Sequence, residues 1–203
     1  RTKSAVYAAL VMSRHTYNAH TWAWVSEKDL VQWENGIRAQ VAALAKSVLK
    51  HVPPFHFTTA EICALIGLNG PQDLLHANRL RYAKRAIQTA PHAMWSFLYA
   101  NDHENSWMTW LVASYKWLRV HLPLVAIPDL DEAGDVLAFI AIDEKWKGRA
   151  KAALQSCLRF TAANAFGKLW TSRLQIQVSR FAPLTEQVGP SAEKIGRASC
   201  RER

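Results

Sequence analysis

Ser26-Glu-Lys-Asp-Leu-Val-Gln-Trp-Glu-Asn-Gly-Ile-Arg-Ala-Gln-Val-Ala-Ala-Leu-Ala-Lys-Ser-Val48 decides the fold class. Ser26 with Asp29 is a capping-box-like start, a hydroxyl placed to accept from a backbone N–H that the first helical turn leaves without a partner. Behind it, Leu30, Trp33, Ile37, Val41, Leu44 and Val48 recur at steps of three and four. At about 100° per residue these positions form one apolar stripe on an α-helix, whereas a strand would alternate every second residue. Pro53-Pro54 stops the run, because proline has no N–H to donate and restricts the residue before it.

The same grammar extends in both directions. Ser4 to Val11 is alanine-rich and apolar, and an aromatic run from Tyr17 to Trp24 follows. Thr58 with Glu61 is a second capping box, opening a short helix through Ile66. Gly67 and Gly70 punctuate the chain, and Pro71 suits the first position of a helix reaching Thr89. Pro91 begins another short helix, and Asn101 to Asn105 reads as a polar loop. Trp107, Trp110, Leu111, Ser114, Trp117 and Leu118 mark a further stripe. Asp131 to Ile142 and Glu144 to about Phe181 predict one short and one long helix, with Gly148 and Gly167 as weak points. The expected fold is all-α, an irregular multi-helix bundle with one core or two helical subdomains. Pro123 and Pro128 bracket the expected boundary. It separates a helical region over 1–122 from a long basic helical region over 131–182, with a linker over 123–130 and a disordered stretch over 183–194.

The final stretch, Ile195-Gly-Arg-Ala-Ser-Cys-Arg-Glu-Arg203, reads as translated sequencing adapter and is expected to pack against nothing. The chain opens on Arg1 rather than Met, so both ends are expected to be artificial. The formal charge is +9, of which the tail supplies +2 through Arg197, Arg201 and Arg203 against Glu202. Cys63 and Cys157 remain once Cys200 is set aside, which gives neither a disulfide framework nor a zinc spacing. An intracellular, reducing compartment, nucleus or cytoplasm, is the expectation. No stretch approaches the roughly 20 apolar residues of a membrane span, so no membrane partner is expected.

Two stretches carry the charge. Leu74 to Asn101 holds no acidic residue but includes Arg79, Arg81, Lys84 and Arg85. On a helix, Arg81, Lys84 and Arg85 share one side, and Leu80, Ala83 and Ile87 another. Lys145 to Arg180 holds eight Lys or Arg and no Asp or Glu, without forming one clean stripe. Cationic faces interleaved with aromatics such as Tyr82 and Trp146 suit a phosphate backbone, with bases stacking on the rings. The competing reading is a basic solvated surface.

Catalytic constellations are absent from the pattern. His15, His20, His51, His56, His76, His92, His103 and His121 are scattered and form no metal-binding spacing, although His51 and His56 flank Pro53-Pro54. Asp129, Asp131, Glu132 and Asp135 lack the spacing and the glycine of a calcium loop and read as helix-start residues. No Gly-rich phosphate loop and no nucleophile elbow occurs. No catalytic residue, metal ligand or cofactor is therefore assigned within the chain. Thr58 to Ile87 has the outline of a helix-turn-helix, but Gln72, Asp73, Leu74 and Leu75 would face the bases, an acidic and apolar start unsuited to that role. Of the nine tryptophans, Trp33, Trp107, Trp110 and Trp117 fall on helix stripes and read as core.

Ser13-Arg14-His15-Thr16-Tyr17-Asn18-Ala19-His20-Thr21-Trp22 resembles the segment after the polymerase palm in non-LTR retrotransposon reverse transcriptases. Asp29-Leu30, Trp33-Glu34 and Arg38 are similar to that family's next helix, and Asn78-Arg79-Leu80-Arg81-Tyr82 to its Arg-Leu-Arg-Trp element. His15 stands where the family has Leu, and Ala83-Lys84 stands where it often has Gly-His. The resemblance spans roughly residues 5 to 100. It implies the helical thumb and post-thumb region of an RNA-directed DNA polymerase, gripping the template–primer duplex by its backbone without sequence preference. Arg79, Arg81, Lys84 and Arg85 are the implied contacts, with Arg14 and Arg38 beside them. The Mg²⁺-binding palm carboxylates of such a polymerase have no counterpart in this sequence, so any enzymatic activity belongs to a parent protein. The alternative is a helical protein-interaction module that binds no nucleic acid.

Overall fold

The computed structural model describes the backbone of residues 2–16, 21, 26–101 and 106–198, and side chains only as far as residue 177. The architecture is an all-α bundle with no strand among the described residues. In chain order the helices are α1 (Thr2–Tyr7), α2 (Ser13–His15), α3 (Glu27–Leu49), α4 (Thr59–Leu65), α5 (Pro71–Thr89), α6 (His92–Ala100), α7 (Trp107–His121), α8 (Ala133–Ile142) and α9 (Trp146–Ala198). A π-helical turn, Ala8–Met12, joins α1 to α2, and a 3₁₀ turn, Pro54–His56, precedes α4. The aromatic run Tyr17 to Trp24 lies outside the described residues except for Thr21. So does the loop from Asp102 to Asn105.

The helix starts follow local chemistry. Ser26 Oγ accepts from the Asp29 N–H at 3.1 Å and donates to the Asp29 carboxylate at 2.6 Å. Thr58 and Glu61 form a complete capping box, each side chain accepting from the other's backbone N–H. Helix α4 ends in a left-handed turn at Gly67, φ +78°. There the Leu68 N–H reaches the Cys63 carbonyl and the Gly67 N–H reaches Ala64, the paired closure that residues with a Cβ rarely permit.

Two apolar cores organise the bundle. The first gathers Ile37, Val41, Ala45 and Leu49 of α3, Ile62, Cys63 and Leu65 of α4, and Ala165 and Leu169 of α9. The second gathers Leu80 and Ala83 of α5, Met108, Leu111, Tyr115 and Leu118 of α7, Val136 and Ile140 of α8, and Trp146, Ala150 and Ala153 of α9. Among the described residues, Trp146 is the largest fully buried side chain. Its indole N–H donates to the Leu80 carbonyl at 2.8 Å, and its ring stacks on Tyr115 and meets Phe139 edge-on. Replacing a ring so enclosed with Ala costs about 3–5 kcal/mol in comparable cores.

This arrangement divides the chain differently from the proline-bracketed expectation. The 123–130 segment packs onto the second core through Ile127 and Leu130, and Tyr115 donates its hydroxyl to the Pro128 carbonyl at 2.8 Å. The cores are instead bridged by α9, which continues through Gly148 and Gly167 and supplies buried residues to both. Its bounds also take in 183–194, the stretch expected to be disordered, and the first four positions of the adapter-like tail. The last five, 199–203, lie outside the described residues.

Candidate nucleic-acid interface

The six cations singled out in the sequence fall into two groups. Arg79 is buried: Leu75, Arg79 and Ala83 form one buried line on α5. Its guanidinium donates from Nη1 to Ser114 Oγ at 3.1 Å and lies over the Trp110 ring. Burial pulls its pKa down to about 10, which still leaves it charged at neutral pH. Lys84 donates from Nζ to the carbonyls of Ile140 at 2.8 Å, Ala141 at 2.9 Å and Asp143 at 3.3 Å. It thus caps the C-terminus of α8, where carbonyls lack partners and the helix dipole is negative. Arg38 donates to the carbonyls of Pro54 at 2.9 Å and Phe57 at 2.6 Å, pinning the turn after α3. These three were expected to hold phosphates, and the structure employs all three as internal tethers. A phosphate contact would take Arg38 and Lys84 from the carbonyls they hold and Arg79 from the Ser114 hydroxyl.

Arg14, Arg81 and Arg85 are exposed. Arg81 and Arg85 stand one turn apart on α5, on the same side of the helix. The aromatic rings expected to stack on bases are occupied elsewhere: Trp146 is wholly inside the second core, and Tyr82 meets Trp107 edge-on.

The structure adds something the sequence order hides. Helices α5 and α9 pack against each other, so the two acid-free stretches are neighbours. On α9 some cations are spent internally. Arg149 pairs with Asp143 at 2.9 Å, Lys168 pairs with Glu61 at 2.5 Å, and Arg173 donates to the Val48 carbonyl. Lys145, Lys147, Lys151 and Arg159 remain exposed. Lys147 and Lys151 repeat the one-turn spacing of Arg81 and Arg85.

The other candidates resolve as follows. Asp129 pairs with Arg119 and Asp131 with Lys116, tying the stretch that leads into α8 to α7; Asp135 sits in the first turn of α8, as expected of a helix-start residue. His51 and His56 are both exposed, and the His56 ring lies tilted against Phe55, centroids 4.5 Å apart. The helix-turn-helix outline is present as α4 and α5, but the leading end of α5 faces inward. Pro71 and Leu75 are buried, and Asp73 accepts from the Trp117 indole at 3.0 Å. Beside Asp73, helices α5, α7 and α9 bring Asp73, His121 and Cys157 together, their ligand atoms within 4.8 Å of one another. The sequence reading missed this group because the three residues are far apart in the chain. His76 lies alongside, stacked on Trp117, and burial, then Arg79 and His121, pulls its pKa down to about 4.

No protein-family model matches the chain, and no curated protein or solved structure matches it. Among the described residues, no helix is long and apolar enough to cross a membrane.

Proposed function

We propose that this chain is a non-catalytic helical module that holds the phosphate backbone of a duplex, without reading sequence, on the surface shared by α5 and α9. The observation that carries this reading is the packing of two acid-free stretches side by side, with Arg81, Arg85, Lys147 and Lys151 exposed on them. Cations grouped on neighbouring helices displace the counterions condensed on a nucleic acid, and that release supplies non-specific affinity. The resemblance to a reverse-transcriptase thumb narrows the proposal to a template–primer duplex as partner. On that reading polymerase chemistry and its Mg²⁺ belong to a palm, and no residue of this chain carries a step of it. The test is fluorescence anisotropy at low salt with DNA duplex, RNA–DNA hybrid and single strand. Duplex and hybrid should bind with a dissociation constant near or below about 100 µM, whatever the sequence. Reversing charge with Arg85→Glu and Lys151→Glu should weaken both.

A second reading, a protein-interaction module, has its own supporting observation. Phe166, Trp170 and Leu174 are exposed at successive turns of α9, on one side of that helix. Such apolar rows are uncommon on monomeric surfaces and mark contact sites. Failure of every nucleic acid to bind would move the function to this face.

A further inference from the structure

The geometry points to a divalent transition-metal site, suited to Zn²⁺, formed by Asp73 of α5, His121 at the end of α7 and Cys157 of α9. One carboxylate oxygen, one imidazole nitrogen and one thiol sulfur lie within 4.8 Å of one another. Zinc takes sulfur at about 2.3 Å and nitrogen or oxygen at about 2.0–2.2 Å, so tetrahedral ligands stand roughly 3.3–3.8 Å apart. The gap to that spacing is about an ångström, within reach of side-chain adjustment. The mixed sulfur, nitrogen and oxygen set favours a borderline cation over Mg²⁺ or Ca²⁺, which prefer oxygen alone.

The surroundings already orient the ligands. The Trp117 indole N–H donates to Asp73 Oδ1 at 3.0 Å, the kind of supporting hydrogen bond that fixes a carboxylate ligand. The same indole ring leans on His121, centroids 5.2 Å apart. Gly70 leaves the space that the carboxylate fills, since a Cβ there would lie 2.7 Å from Asp73 Oδ2. Cys157 is buried, whereas Asp73 and His121 are half-exposed, so a cation reaches the thiol from the solvent side. On binding, the Cys157 proton passes to solvent and the thiolate ligates. Three protein ligands leave one position for water, and the bound ion ties α5, α7 and α9 together.

The test uses the full chain with two probes, Zn²⁺ and Co²⁺. Saturating Zn²⁺ should raise the melting temperature, because an ion that binds only the folded state stabilises it. Stoichiometric Co²⁺ should give a thiolate-to-cobalt charge-transfer band, which Zn²⁺ displaces. His121→Ala, at a half-exposed helix end, should weaken Zn²⁺ binding at least about tenfold and remove most of the melting shift. Cys157→Ser should remove the charge-transfer band, and Cys200→Ser should leave it intact. Absence of the band in the unsubstituted chain overturns the site. So does a band that survives Cys157→Ser, or a melting shift unchanged in His121→Ala.

Discussion

Arg79 donates from Nη1 to Ser114 Oγ, 3.1 Å away across the contact between α5 and α7. That bond holds a buried guanidinium in the contact between α5 and α7, over the Trp110 ring. The cation that a basic stretch offers first for nucleic acid is thus a packing element, and Arg79 should behave as one. Arg79→Ala should cost about 2–3 kcal/mol in urea unfolding, through a lost charged hydrogen bond and a cavity. Arg79→Met should cost less than half of that, because an apolar side chain of similar volume avoids burying a charge. Equal losses in the two variants would show that the charge itself holds the core.

Lys84 should matter to stability and not to ligand affinity. Its ammonium is the shared donor for three carbonyls at the end of α8. Lys84→Met should lower stability by about 1–2 kcal/mol. Amide hydrogen exchange should quicken at the C-terminal turn of α8 before it does in α7. The binding of duplex should stay as it was.

Glu61 links the first core to α9. Burial alone would push its carboxyl pKa up, but hydrogen bonds from Lys168 and Thr58 outweigh burial and hold it below its ordinary value of 4.5. A carboxyl with a lowered folded pKa contributes stability that is fully present above its unfolded value and lost as pH falls through the folded one. The stability gap between the native chain and Glu61→Gln should therefore be full at pH 7 and close progressively below pH 4.5. Thermal melts of both proteins from pH 7 to pH 3 measure it. A gap that widens on acidification would contradict the Lys168 pairing.

Cys63 should resist alkylation in the folded chain. It is fully buried in the first core, and burial, with Glu34 and Asp73 nearby, pushes its thiol pKa up to about 12. The thiolate is the reactive form, so mass spectrometry after iodoacetamide treatment should find Cys63 unmodified until denaturant is added. Rapid native labelling would mean the α3–α4 contact opens readily.

Much of the fold is written in local patterns. The stripe from Leu30 to Val48, the Thr58–Glu61 box and the Pro71 start each need only neighbours in sequence, and each stands where expected. Arg79 was misread although its signal was local too. Leu75, Arg79 and Ala83 recur at steps of four, so the arginine stands in an apolar row. Lys84 and Arg38 carry no such signal, because their acceptors are carbonyls of distant turns. The division into two cores was equally hidden, since α9 serves both and a continuous stripe does not announce where its partner changes. Asp73, His121 and Cys157 meet only after three helices have packed.

The central claim is that the face shared by α5 and α9 holds a phosphate backbone. The most direct measurement is the salt dependence of duplex binding by the native chain and by the combined variant Arg81→Ala, Arg85→Ala, Lys147→Ala, Lys151→Ala. Each neutralised phosphate contributes about −0.9 to the slope of log K against log salt, so the combined variant should flatten the slope by up to about 3.6. Adding Lys84→Met should flatten it no further, because that ammonium is already engaged at the end of α8. Unchanged slopes in the combined variant, or no duplex affinity even at low salt, would contradict the account.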